Sequence, residues 1–262
     1  METGQFKIDW KRYFDAIFCV HFAPQAAKVP RLAAELDRVG IRKSGICHLR
    51  ITNETTFDRI LFVHYRSMGH PIPDRGCVNL AMEIVSILNQ AIHSNMHRIL
   101  ILENDVAFLR DLREIDATLQ TMPDEADCVQ FDKFVAPKGE ARYKKQIEES
   151  VSERFFNPGN TTYYSGACFA LSRMGMKYLR HALTSVCPLP PDSYFAPIQW
   201  KRWVAKKNLA IQLVYAGSIS ANLYGINSHH DGYRRAGVDY AEYNVPDGYG
   251  YGKSVNVEAD GR

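Results

Sequence analysis

Short apolar runs alternate along this chain with longer stretches in which apolar residues return every three or four positions. Ile17 to Phe22 reads as a buried strand. Val29, Leu32, Ala33 and Leu36 then recur at helical spacing, and Gly40 stands where a C-terminal cap belongs. Gly45 to Ile51 and Ile60 to Tyr65 read as further strands. Between Gly76 and Met96, the positions Ala81, Ile84, Val85, Leu88 and Ile92 form one stripe of a long helix, which feeds the apolar run Ile99 to Leu102. Alternating strands and helices predict an α/β chain whose mostly parallel sheet is flanked by helices.

The second half is less regular. Asp127 to Phe131 reads as a strand and is followed by a charged stretch, residues 133–160, that ends in Asn157, Pro158, Gly159 and Asn160. A stretch this long is a flexible flap over a site or a solvated insertion, with helix expected around Arg142 to Val151. Thr161 to Leu171 is expected as a strand, and Ser172 as the cap of a helix carrying Met174, Tyr178, Leu179 and Leu183. Pro188 to Asp192 breaks that helix; a second helix holding Ile198, Trp200, Trp203 and Val204 and a strand from Leu209 to Tyr215 are expected to follow. The remainder from Gly217 is rich in Gly, Asn, Tyr and His. Without an internal repeat or a clean linker, residues 1–262 are expected as one domain, with 245–262 a flexible tail.

Composition narrows the partners. The 262 residues are 46% hydrophobic and 23% charged, a globular balance. A formal charge of +3 without a basic, aromatic-interleaved block does not point to nucleic acid. Met1 to Trp10 lacks the apolar core of a signal peptide and no run approaches a membrane span, so a cytoplasmic location is expected. Cys19, Cys47, Cys77, Cys128, Cys168 and Cys187 lie far apart with no C-x-x-C, as reduced core thiols do.

The candidate chemistry begins where Ile99 to Leu102 runs into Glu103, Asn104 and Asp105. An acidic turn at the carboxyl end of a buried strand is where open α/β sheets bind ligands, and its oxygens suit a hard divalent cation; an ordinary solvated turn is the alternative. Asp192 follows a proline-stiffened segment and is either a fixed carboxylate or the N-cap of a helix beginning at Ser193. Asp132, at the end of its strand, either shares the rim with Glu103 or makes a surface salt bridge or cap. Arg31 is either a phosphate-binding fork or an exposed helix cation. No G-x-x-x-x-G-K-[ST] or strand-linked G-x-G-x-x-G is present. His21 to Pro30 contains no glycine, which counts against a nucleotidyltransferase.

In this order of elements the chain resembles glycosyltransferase family 25, the bacterial lipooligosaccharide glycosyltransferases and collagen galactosyltransferase relatives. The likeness spans roughly Ile17 to Tyr224. It rests on Arg31 and the helix ending in Gly40-Ile41, on Gly76-Cys77 opening the long helix, and on Ile99 to Val106, where the family shows an E-D-D type motif. Tyr164 to Ser172 and Pro190-Pro191-Asp192 add to it. Asn104 replaces the middle carboxylate, and Val78-Asn79-Leu80 stands where the family favours a Ser-His pair.

The resemblance implies a GT-A fold, a nucleotide-sugar donor and Mn²⁺ or Mg²⁺ on the acidic motif. Asp105 is expected to ligate the ion; Glu103 would ligate it, bind the ribose or orient a bound water, and Asn104 would bond a sugar hydroxyl. His229 and His230 are late metal candidates, imidazole favouring manganese, against a reading as two exposed loop histidines. Asp192 would be the general base of an inverting displacement, and Arg31 would meet the donor. The implied reaction moves a hexose, galactose foremost, from a UDP-sugar to a surface polysaccharide or lipooligosaccharide. The glycan acceptor would sit on a lipid carrier, with at most peripheral contact of the enzyme at the inner membrane. A catalytically silent carbohydrate-binding relative and a nucleotidyltransferase are the alternatives.

Overall fold

The computed structural model describes residues 6–22, 28–52, 75–161, 163, 165–185, 194–213 and 226–245. Strand β1 (Ala16–Phe22) is followed by helix α1 (Val29–Arg38), strand β2 (Cys47–Thr52), helix α2 (Arg75–His93) and strand β3 (Arg98–Glu103). A short strand β4 (Val106–Phe108), helix α3 (Leu112–Gln120), strand β5 (Cys128–Gln130), helix α4 (Glu140–Glu149) and strand β6 (Phe155–Phe156) come next. Strand β7 (Cys168–Ser172) runs directly into helix α5 (Arg173–Ser185); strands β8 (Arg202–Ala205) and β9 (Ala210–Gln212) and helix α6 (Ile226–Arg235) complete the order.

A seven-stranded sheet runs β2-β1-β3-β7-β5-β8-β6, and β4 pairs with β9 in a separate two-stranded ribbon. Parallel pairing of β1 with β2 and β3, and of β5 with β8, sets five strands in one direction, with β7 and β6 opposed. The single α/β domain with a mostly parallel, helix-flanked sheet is therefore what the chain forms. Strand alternation then divides the interior. Ile17, Cys19, Leu100, Leu102, Val129 and Phe131 face a core closed by α1, α3 and the Trp10 segment. Phe18, Val20, Ile99, Ile101, Phe169 and Leu171 face a second core with α2 and α5.

Helix boundaries follow local chemistry. Pro30 lies in the first turn of α1, and Gly40, at φ +78°, turns the chain after it. Asp111 caps α3 by accepting from the amides of Arg113 (2.9 Å) and Glu114 (3.3 Å). Ser172 Oγ accepts from the amide of Gly175 at 3.2 Å, the cap expected from the sequence. Gly175 has a further reason to be glycine: a Cβ there would lie 1.9 Å from the carbonyl oxygen of Asp127, a backbone atom that already accepts from Ser172 N. Gly175→Ala is expected to lower stability by about 3 kcal/mol or more through that overpacking, read as a shift in the urea midpoint. An unchanged midpoint would show that α5 can move away.

Several elements differ from expectation. The strand expected over Thr161 to Leu171 is confined to Cys168–Ser172, because carbonyls before it are taken by side chains instead of a neighbouring strand. Trp203 and Val204 lie on β8 and not on a helix; their alternation places Trp203 against one core and Val204 in another. Within residues 133–160 the helix expected around Arg142 to Val151 is present as α4, which buries Tyr143 against Phe156 and Tyr163, and β6 pairs with β8 at the sheet edge. The expected strand at Ile60 to Tyr65, the break at Pro188 to Asp192 and the tail beyond Val245 lie outside the described residues. Among the described residues, no helix is long and apolar enough to cross a membrane.

Candidate functional site

The acidic turn is where the sheet's geometry would put a site. β3 ends at Glu103, between β1 and the antiparallel β7, and the chain turns at Asn104 and Asp105 before entering β4. Three consecutive carbonyls are tied down. Arg31 donates from Nη2 to Asn104 O (2.7 Å) and from Nη1 to Val106 O (2.8 Å), and Leu213 N donates to Asp105 O (2.7 Å). Arg31 is thus not an exposed helix cation, and each of these two nitrogens keeps a second N–H. Its planar fork spans two carbonyls and fixes the turn.

The side chains of the turn are held differently. Glu103 Oε2 accepts from Gln212 Nε2 at 3.1 Å, and Asn104 Nδ2 lies 3.0 Å from His21 Nδ1 at the end of β1. Asp105 is buried, with Oδ2 4.0 Å from Lys28 Nζ and Oδ1 without a hydrogen-bond partner. Burial raises the Asp105 pKa, against the opposing pull of Lys28 and Arg31. Burial likewise lowers the Lys28 pKa, while Asp105 and Glu103 counteract it.

Asp132 lies close enough to this turn to feel the charge of Asp105, and the structure overturns the surface reading of it. The residue is fully buried. Its Oδ1 accepts from Tyr233 OH of α6 at 2.8 Å, and its Oδ2 accepts a short hydrogen bond from Ser165 Oγ. Burial pushes its carboxyl up to about 7, the two hydroxyl donors pulling the other way and the Asp105 carboxylate adding to the rise. Tyr233 OH in turn accepts from Gln212 N at 2.7 Å, so a continuous polar path runs Glu103, Gln212, Tyr233, Asp132, Ser165. Ser165 has φ +100°, a left-handed backbone that a residue with a Cβ adopts only when its surroundings impose it.

An orphaned, buried carboxylate oxygen is what a divalent cation would complete, and on that observation Asp105 fits as a ligand. Among the described residues no group of three His, Cys, Asp or Glu could form an all-protein cage. One or two carboxylates completed by substrate phosphates and water is the usual pattern for Mg²⁺ in phosphate-handling sites. His230 is not an exposed loop histidine: it is buried on α6, its ring edge-on to Tyr240 at 6.1 Å, and burial lowers its pKa. Nor does it join Glu103 and Asp105 in such a group. The His229 side chain and Asp192 lie outside the described residues.

Lys28, Ser165, Gln212 and Tyr233 were not singled out by pattern. One signal was present for Asp132 and Lys133, a charged pair flanked on both sides by the apolar residues Val129, Phe131, Phe134 and Val135. Lys133 is itself fully buried, donating to Lys206 O (3.0 Å) and Asn208 Oδ1 (2.8 Å).

No protein-family profile matches the chain, and no curated protein matches it. Among solved structures it is similar to a glycosyltransferase involved in glycosylation of the major capsid of PBCV-1, at 10% identity over 78% of this chain and 94% of that one, TM-score 0.43. It is also similar to the galactosyltransferase LgtC in complex with donor and acceptor sugar analogs, at 10% identity over 88% and 98% of the two chains, TM-score 0.40. A third likeness is to the mannosyltransferase PcManGT from Pyrobaculum calidifontis in complex with GDP-Man and Mn²⁺, at 12% identity over 85% and 64%, TM-score 0.40. Likenesses at this level do not assign a reaction, which has to come from the residues themselves.

Proposed function

We propose that this protein is a metal-dependent glycosyltransferase that moves a hexose, galactose foremost, from a UDP-sugar to a glycan acceptor of the surface-polysaccharide or lipooligosaccharide type. The observation that carries the reading is the buried Asp105 carboxylate, one oxygen unpartnered, on a turn clamped at three successive carbonyls at the carboxyl end of β3. Glycosyl transfer requires a leaving diphosphate to be stabilised, an acceptor hydroxyl to be deprotonated, and the two to be aligned. A divalent ion, Mn²⁺ or Mg²⁺, held by Asp105 with Glu103 beside it, would supply Lewis-acid stabilisation of the diphosphate. Lys28, 4.0 Å from Asp105, adds a cation on the same side.

The chain's own groups do the rest. Asn104, held against His21, offers an amide to a ribose or sugar hydroxyl. Asp132, with Ser165 and Tyr233 donating to it, places a carboxylate whose proton is exchangeable near neutral pH behind two hydroxyls. Asp192 stands as the proposed general base of a single, inverting displacement, and a His229 or His230 imidazole as a further metal ligand in the substrate-bound state. The acceptor would be reached from the cytoplasmic side, with at most peripheral membrane contact.

The test is turnover of a panel of UDP-, GDP-, CMP- and dTDP-sugars with Mn²⁺, with Mg²⁺ and after chelation. Hydrolysis or transfer of one donor that vanishes with EDTA and returns with metal is expected. Absence of binding and turnover for every donor under every metal would sink the reading.

A further inference from the structure

Two buried side chains on one face of the sheet grip the segment that delivers Ser165. Gln130, the last residue of β5, donates from Nε2 to Tyr163 O (3.1 Å) and Ser165 O (3.3 Å). Arg202, the first residue of β8, donates from Nη2 to Gly159 O (3.2 Å) and, through a short hydrogen bond, to Thr161 O. The β5–β8 register pairs Cys128 with Arg202 and Gln130 with Val204, so Gln130 and Arg202 are diagonal neighbours on the same face. Together they take the carbonyls of residues 159, 161, 163 and 165, every second one along the segment. From the other side, Gln146 of α4 donates to Pro158 O at 2.9 Å and accepts from Tyr163 OH.

This arrangement is costly if its only purpose is to hold the fold together. Arg202 is 2% exposed and Gln130 fully buried. Nε and Nη1 of Arg202 and Oε1 of Gln130 nevertheless have no hydrogen-bond partner, and burial depresses the Arg202 pKa. Buried, unmatched polar atoms cost stability, and an apolar side chain of similar size would avoid that cost. The segment they hold ends in the left-handed Ser165, whose hydroxyl meets Asp132. Expense concentrated on one segment, with strain stored at its end, is the signature of a device that sets geometry.

We propose that Gln130 and Arg202 are positioning residues: they hold the carbonyls of Gly159, Thr161, Tyr163 and Ser165 so that Ser165 is presented to Asp132 in the geometry the sugar-transfer site needs. The proposal rests on the glycosyl-transfer reading for its catalytic consequence, but not for the grip itself. The effect of Gln130 and Arg202 passes through Ser165, so the loss falls on alignment in the transition state and not on donor binding.

The test compares wild type with Arg202→Met and Gln130→Leu, each measured by amide hydrogen exchange and by steady-state kinetics with the donor that the sugar-nucleotide panel identifies. Exchange in peptides covering 159–168 is expected to speed up by about tenfold, while peptides from β1 and β3 keep their rates. kcat is expected to fall by roughly 10–100-fold with KM for the donor within about threefold. Arg202→Lys, which keeps one of the donors, is expected to recover part of kcat. The two single variants remove different halves of the grip, so misfolding of one leaves the other decisive. Unchanged exchange across 159–168 overturns the grip. Faster exchange with kcat and KM unchanged overturns the positioning role. A wild type that turns over no sugar nucleotide overturns the glycosyl-transfer reading instead, and the exchange comparison still decides whether these side chains hold the segment.

Discussion

Asp105→Ala is expected to reduce sugar-nucleotide turnover by roughly 10²–10³-fold or more, the scale seen when one preorganised electrostatic group is removed from a reacting centre. The same change is expected to leave the protein at least as stable at neutral pH. The carboxyl is buried with Oδ1 unpartnered, and its folded pKa is raised by burial above the unfolded value. For an acid whose folded pKa is raised, the unfolded state gives up its proton first, so the ionised group costs stability as pH climbs past the unfolded value; deleting it removes that cost. The opposing losses are the Lys28 contact at 4.0 Å, which is weak at that separation, the charge of Arg31 and a side-chain hydrogen bond to Gln212. Together they are expected to be smaller than the cost of burial, which sets the direction of the pKa shift. Activity lost together with an unchanged or raised thermal midpoint would mark Asp105 as functional. Asp105→Asn separates charge from shape, and it too is expected to be inactive if the group's task is to hold a cation. Turnover within threefold of wild type in either variant would remove the acidic turn from the mechanism.

The turn itself was legible in the sequence because the short β-branched apolar run Ile99 to Leu102, directly after a long helix, reads as a buried strand, and residues directly after such a strand sit at the sheet's rim. The β1–α1 unit and α2 were legible for the same reason: helical spacing and caps are local properties. What was not legible depends on pairing between distant strands. Trp203 and Val204 continue a spacing that suits a helix, yet β5 takes them as a parallel neighbour, and that choice is made by residues some seventy positions away. The segment before β7 looks apolar enough for a strand, but its carbonyls are taken by Gln130 and Arg202 side chains, which no local pattern reveals.

Asp132 shows the same limit within the site. A carboxylate at a strand end is usually solvated, and its sequence neighbour Lys133 invites a surface ion pair. In the fold the two side chains serve different partners: Asp132 takes the hydroxyls of Ser165 and Tyr233, and Lys133 reaches Lys206 O and Asn208. Tyr233 comes from α6, a helix hidden in a Gly-, Asn- and His-rich stretch that reads as loop. His230, on the same helix, is buried for that reason too, three residues before Tyr233 and so on the same inward stripe.

Burial of Asp132 and Lys133 together predicts an unusual pH dependence, and Asp132→Asn is the variant that resolves it. Desolvation pushes the Asp132 carboxyl from 3.8 to about 7, so between roughly pH 4 and 7 the folded chain keeps a proton that the unfolded chain releases, and stability falls as pH rises. Desolvation brings the Lys133 ammonium from 10.5 down to about 7, the Asp132 carboxylate resisting. Between about pH 7 and 10.5 the unfolded chain is therefore the one holding the extra proton, and stability rises with pH. The two limbs meet in a minimum close to neutrality. In Asp132→Asn the falling limb disappears, so the variant is expected to gain stability over wild type progressively from pH 4 to 7, by on the order of 2–4 kcal/mol at neutral pH, measured by urea unfolding across that range. Lys133, relieved of its neighbouring carboxylate, keeps its rising limb and begins it at lower pH. Turnover responds in the opposite sense: loss of the carboxylate behind Ser165 and Tyr233 is expected to cut kcat about 10²-fold, and the rise in wild-type kcat/KM through about pH 7 is expected to be absent from the variant. A wild-type minus variant stability difference that is flat from pH 4 to 7 would show that Asp132 is ionised throughout, held by its two hydroxyl donors against the cost of burial.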